Sequence, residues 1–204
     1  MSINSLSAII IGMKKHILGS VEDAIRAAGF LKEPESLQFI ENAARAIAGC
    51  FRKGRKLLIA GNGGSLCDAM HFAEEFTGIF RGKRAALPAL ALSDPGHLSC
   101  TANDLGYQDV FSRAVEAFGK ENDILISLTT SGNSMNLINA VLCAKQKKMK
   151  TISFLGKTGG KLKGMSDLEW KVDGFTFSDR IQEAHMAAIH IIIEMVEKDL
   201  FYDL

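Results

Sequence analysis

One unit recurs along this chain: a short unbroken apolar run, then a turn rich in Gly and Ser, then a helical stretch. It occurs at Leu57-Leu58-Ile59-Ala60, at Ile124-Leu125-Ile126-Ser127-Leu128 and at Thr151-Ile152-Ser153-Phe154-Leu155. Ala89-Leu90-Ala91-Leu92 is a fourth run, and Leu168-Glu169-Trp170-Lys171-Val172 a weaker fifth. A strand with one wet face alternates apolar and polar residues, whereas a continuous apolar run needs cover on both faces. Such runs alternating with helices predict an α/β fold, a parallel sheet with helices on either side. Ligands in folds of this kind bind beyond the carboxyl ends of the strands, so function is expected in the loops that follow them.

Two helical stretches precede the first run. From Ile3, apolar residues recur at helical spacing as Leu6, Ile10, Met13, Ile17 and Ala24, a heptad-like stripe suited to packing on another helix. A break at Gly29 to Pro34 leads to a second helix, Glu35 to Phe51, which stops near Gly54. Residues 1–54 therefore read as a helical arm and 55–204 as the α/β domain. The last helix, about Ser178 to Leu200, carries Ile181, Met186, Ile189, Ile191, Ile192, Ile193, Met195 and Val196 around most of its circumference. Burial on so many sides in a small chain predicts a subunit interface.

With 24 Lys and Arg against 23 Asp and Glu, the net charge of +1 gives no electrostatic footprint for nucleic acid. The Lys145-Gln146-Lys147-Lys148 run reads as the solvated last turn of a helix, where cations oppose the dipole. No apolar stretch reaches the length of a membrane span. Ser7 to Met13 is apolar but short and lacks a basic lead and a cleavage site, so neither signal peptide nor anchor is expected. Cys50, Cys67, Cys100 and Cys143 form no C-x-x-C pair and read as reduced structural thiols of a cytoplasmic protein.

Two loops have the composition of phosphate cradles. Gly61-Asn62-Gly63-Gly64-Ser65 precedes a helix, so that backbone N–H groups and the helix N-terminus can face an anion. It is no Walker A loop, because no Lys-Ser/Thr pair closes it, and Leu66 stands where a dinucleotide fingerprint needs its third glycine. A tight strand-to-helix turn explains it equally well. Thr129-Thr130-Ser131-Gly132-Asn133-Ser134 offers four hydroxyls, an amide and a glycine at the next helix entry. Capping by Ser134 or Asn133 would need one of these, so the excess favours a ligand. A third loop, Gly156-Lys157-Thr158-Gly159-Gly160, is poorer in hydroxyls and reads mainly as a turn.

His71 and Glu75 share one helix face a turn apart, while Asp68 and Glu74 are expected to point elsewhere. Such a pair suits an acid–base unit, two metal ligands or an ordinary surface contact. The last helix adds Asp179, Gln182, His185 and His190, and His190, set between Ile189 and Ile191, fits a core histidine or an interface pocket equally.

Together these segments resemble the phosphoheptose isomerase family. The likeness is carried by Gly61-Asn62-Gly63-Gly64-Ser65, Cys67-Asp68-Ala69-Met70-His71-Phe72-Ala73-Glu74-Glu75, Thr130-Ser131-Gly132-Asn133-Ser134, Asp179-Arg180-Ile181-Gln182-Glu183 and His190. It implies a sugar isomerase (SIS) domain, a three-layer sandwich with a five-stranded parallel sheet, in a homotetramer with helical extensions. It implies conversion of sedoheptulose 7-phosphate to D-glycero-D-manno-heptose 7-phosphate, for the heptose of lipopolysaccharide or other surface glycans. Glu75 and His190 match the catalytic pair. Asn62, Gly63, Gly64, Ser65, Glu75, Asn103, Asp104, Thr129, Thr130, Ser131, Ser134, Asp179 and Gln182 are the implied substrate contacts. His71, Glu75, Gln182 and His190 match the ligand set of one zinc ion per site. Leu66 departs from the His of the best-known members, and Thr129 from the common Ser.

The implied reaction passes through a cis-enediol, with Glu75 as the base at carbon and His190 as the acid at oxygen. Gln182 and His190 lie eight positions apart on one helix, about 12 Å along its axis, whereas zinc bonds are about 2 Å long. One site is therefore expected to draw Gln182 and His190 from different subunits. The main alternative is a non-enzymatic SIS protein that binds a replication initiator or another protein partner. Its relatives lack the catalytic pair that Glu75 and His190 match here.

Overall fold

The computed structural model describes residues 3–202, and their side chains from Gly12 onward. Leu6 and Ile10 of the N-terminal stripe thus lie outside the described side chains. Helix α1 (Ile3–Gly29) and helix α2 (Pro34–Arg52) precede the sheet. Then follow β1 (Leu57–Gly61), α3 (Gly64–Thr77), β2 (Ala89–Ala91), α4 (Pro95–Asp104), α5 (Val110–Phe118) and β3 (Ile124–Leu128). The chain ends with α6 (Met135–Gln146), β4 (Lys150–Gly156), β5 (Leu168–Val172) and α7 (Ser178–Phe201). Local chemistry sets several of these starts: Pro34 opens α2, where a missing N–H costs nothing, and Asp94 accepts the His97 N–H at 2.6 Å to cap α4.

All five strands run parallel in the order β2-β1-β3-β4-β5, as the unbroken apolar runs required. Because side chains alternate along a strand, each of the three central strands, β1, β3 and β4, feeds two cores. Leu57, Ile59, Ile124, Ile126 and Phe154 face a core shared with α2, α3 and α7, while Leu58, Ala60, Leu125 and Leu155 face one shared with α5 and α6. The order reverses direction between β1 and β3, which places the loops after these two strands at the sheet's switch point. Helices α4 and α5 lie in a stretch for which the sequence supplied no outline. Among the described residues no helix is long and apolar enough to cross a membrane. The four cysteines are unpaired and helical, but Cys67 and Cys100 are exposed, so a structural role fits only the other two. Cys50 is buried, and burial pushes its thiol up to about 11.

His185 belongs to the larger core rather than to any site. Its ring lies against Phe154 and Trp170, and Nε2 donates to the Leu155 carbonyl at 3.1 Å, leaving Nδ1 buried without a partner. Burial lowers its pKa from 6.5 to about 4, against a smaller opposing effect of that carbonyl. The unfolded chain therefore binds the extra proton between pH 6.5 and 4, and stability falls with pH across that window by about 3 kcal/mol in full. Urea midpoints of the parent and of His185→Leu, followed from pH 7 to 4.5, should diverge in slope. Parallel slopes would mean that His185 does not titrate on unfolding.

Candidate active site

The glycine loop after β1 and the hydroxyl loop after β3 meet at the switch point. Asn62 and Asn136 exchange side-chain hydrogen bonds at 3.0 and 2.9 Å, and the Tyr107 hydroxyl donates to Asn62 Oδ1 at 2.9 Å. Asn62 is thus held from both ends. Asn103 and Asp104 close α4 just before Tyr107, with Asn103 Nδ2 donating to Asp104 at 2.7 Å; both remain exposed. The hydroxyl loop is shaped by its own first residue: Thr129 is buried, and its Oγ1 accepts from the amides of Ser131 and Gly132. Ser131 Oγ accepts the Asn133 amide, and Thr130 Oγ1 donates to Ser178 Oγ at 3.1 Å, which joins this loop to the start of α7 beside Asp179. Ser134 stands at the N-cap of α6 yet makes no capping bond with its hydroxyl. The loop after β4 braces the hydroxyl loop, with Leu162 N–H donating to the Gly132 carbonyl and Lys161 N–H to Asn133 Oδ1.

Helices α3 and α7 lie side by side and bring the remaining candidates together. At their N-terminal ends Gln182 Nε2 donates to the buried Ser65 hydroxyl at 3.4 Å, and the Gln182 amide fills the space a side chain at Gly64 would need. Further along, Glu75 Oε1 lies 3.2 Å from His71 Nε2, and the His71 and His190 rings are 5.1 Å apart. Donor atoms of His71, Glu75 and His190 all fall within 4.8 Å of one another. Glu75 is 16% exposed and His71 43%, so the carboxylate is sheltered and the imidazole open. Gln182 lies at the N-terminal end of this contact, against Ser65 and Gly64, while His190 lies farther along it beside His71.

The expectation that Asp68 and Glu74 point away is corrected. Glu74 Oε1 comes within 3.9 Å of His71 Nε2, because positions three apart also share a helix face. Asp68 has a buried Oδ2 without a partner, and burial lifts its carboxyl to about 6, against a downward pull from His71. Leu66 is half-buried and packs on the larger core, an apolar contact beside the glycine loop. Several contributors carry no sequence signal. Tyr107 and Asn136 pin Asn62, and Phe80 stacks on His190 at 5.9 Å and 22°. Their roles come from pairings across the fold that no local spacing encodes.

The sequence pattern of the SIS domain matches residues 25–156. The chain is 53% identical to the phosphoheptose isomerase of Pectobacterium atrosepticum, over 84% of this chain and 89% of that one. The chain belongs to the phosphoheptose isomerase family. The Fusobacterium nucleatum member is 55% identical over 84% of this chain and 88% of its own. The phosphoheptose isomerase structure from Neisseria gonorrhoeae superposes with a TM-score of 0.84 at 34% identity, covering 91% of this chain and 99% of that one. The family's sandwich, with its five-stranded parallel sheet, is the architecture described above. The alternative of a partner-binding SIS protein gains no support from these likenesses.

Proposed function

We propose that the chain interconverts sedoheptulose 7-phosphate and D-glycero-D-manno-heptose 7-phosphate, supplying heptose for a surface glycan. The observation that carries this reading is the meeting of His71, Glu75 and His190 at the α3–α7 contact, in a chain whose relatives are named phosphoheptose isomerases. The hydroxyl loop, with Thr130, Ser131 and Ser134, grips the phosphate, and Thr129 holds that loop in shape. Asn62, Gly63, Gly64 and Ser65, with Asn103, Asp104, Asp179 and Gln182, orient the sugar chain. Glu75 removes the proton from one of the two reacting carbons and returns it to the other. His190, its ring held by Phe80, gives a proton to the carbonyl oxygen as the enediol forms and takes one back from the neighbouring hydroxyl as it collapses.

Two imidazoles and a carboxylate also form the donor set of an open zinc site, and their spacing fits ligands on one ion. His71, Glu75 and His190 would hold that ion. When bound, it supplies a Lewis acid for the substrate oxygens. The reading extends to a homotetramer in the cytoplasm with its sites at subunit interfaces. Met13, Ile17, Leu18, Val21 and Ile25 leave an apolar face of α1 in solvent, and Ile191 and Met195 of α7 line a groove with Leu37, Ile40 and Ala44. A second copy's Gln182 would then complete the ligand set.

An isomerase assay with sedoheptulose 7-phosphate, on zinc-loaded and on chelated protein sized by light scattering, tests these points. Turnover is expected from a tetramer, with a loss of about tenfold or more on chelation that zinc restores. Absence of turnover in both samples would overturn the isomerase. Turnover indifferent to chelation would overturn the zinc, and full activity in a monomer would overturn the shared site.

A further inference from the structure

Arg84 lies on the segment joining α3 to β2, outside every motif that carries the family likeness. Its side chain is 1% exposed, and that of its partner Glu197, on α7, is 3%. Arg84 Nε donates to Glu197 Oε1 at 2.7 Å. Its other nitrogens serve carbonyls: Nη2 donates to Glu75 O at 2.6 Å, and Nη1 to Phe76 O at 2.7 Å and to Gly78 O and Ala85 O at 3.1 Å. A helix ends with four carbonyls that lack intrahelical donors, and its negative dipole end favours a cation. In α3 the Gly78 amide takes the Glu74 carbonyl, and Arg84 takes the next two. Only a planar guanidinium offers five donors in one fixed fork.

One buried side chain thus ties the turn of α3 that holds Glu75 to the helix that holds His190. The same segment lays Phe80 on the His190 ring. Proton transfer between adjacent carbons requires base and acid at a set separation across the substrate. We propose that Arg84 is a positioning residue for the isomerisation, fixing Glu75 relative to His190 by clamping the last turn of α3 to Glu197. This rests on the isomerase reading of the site.

Arg84→Met alone strands Glu197 as a buried unpaired charge and invites unfolding, whereas exchanging both partners for apolar residues of similar length is commonly tolerated. The decisive variant is therefore Arg84→Met/Glu197→Met, assayed beside Arg84→Lys. In the double variant kcat is expected to fall about ten- to a hundredfold, with KM within about threefold and the melting temperature near the parent's. A kcat within about twofold of the parent would overturn the proposal, since packing alone would then suffice. Should the double variant not fold, Arg84→Lys decides: it keeps the charge but not the fork, so an unchanged kcat overturns the clamp and a selective fall in kcat supports it. A parent without isomerase activity would sink the reading of the site instead. The clamp is then judged from the imidazole NMR signals of His71 and His190, which must shift in whichever of the two variants folds.

Discussion

Replacing Glu75 with Gln lowers turnover of sedoheptulose 7-phosphate by about 10²- to 10⁴-fold, the usual contribution of a positioned general base. The exchange is nearly isosteric, so the sheltered position beside His71 is kept while the basic oxygen is lost. The proposed phosphate grip lies on the loop after β3, a separate element, so affinity for the sugar phosphate should stay within a few fold. Calorimetric titration of the variant with sedoheptulose 7-phosphate, alongside its steady-state rates, checks both halves. Zinc content must be measured on the same sample, because Glu75 is also a proposed ligand. A loss of less than about tenfold with zinc retained would move the base to another residue.

Gly132→Ala is expected to be the most damaging single-methyl change in the proposed phosphate cradle. Gly132 is buried at φ 66°, and a Cβ there would overlap the Gly159 carbonyl. Neither side can yield cheaply: the Gly132 amide is held by Thr129 Oγ1 at 3.1 Å, and its carbonyl takes the Leu162 N–H at 3.0 Å. Left-handed strain together with backbone overlap should cost about 2–4 kcal/mol of stability. KM for the sugar phosphate should rise about tenfold or more as the loop shifts. Gly49→Ala is the matched control, a helical site with open space for the methyl group, and should be neutral or slightly stabilising. Equal melting temperatures and KM values for the two variants would show that the cradle is soft.

The sheet and most of its helices are legible because their signals are local, whereas α4 and α5 carry no such signal. Short apolar runs between turn signals, such as Ile124–Leu128, suit a strand covered on both faces. Composition alone favoured a ligand for the loop after β3 and left the glycine loop open between a cradle and a turn; the third loop read as a turn, and it packs against Gly132. What the sequence hid is pairwise and distant. Nothing about Tyr107 marks it as a partner of Asn62, 45 positions away, and nothing about Arg84 marks Glu197, 113 positions away. Asp68 and Glu74 lie near His71 because a helix face serves three-residue spacing as well as four-residue spacing.

The parallel sheet also dictates when a working molecule can exist. Parallel neighbours cannot be joined by a tight turn, so β1 must wait for β3, with Leu57 aligned to Ile124 across three intervening helices and a strand. The contacts that define the site are longer still: Ser65 and Gln182 touch across 117 positions. Topology of this kind folds slowly, because chain closure precedes any reward from contact. On the ribosome, α3 emerges with its histidine and carboxylate long before α7 is made, and its apolar face stays uncovered meanwhile. Catalytic competence is therefore the last property the nascent chain acquires, and the interval before α7 arrives is when it is most open to aggregation and most in need of chaperones.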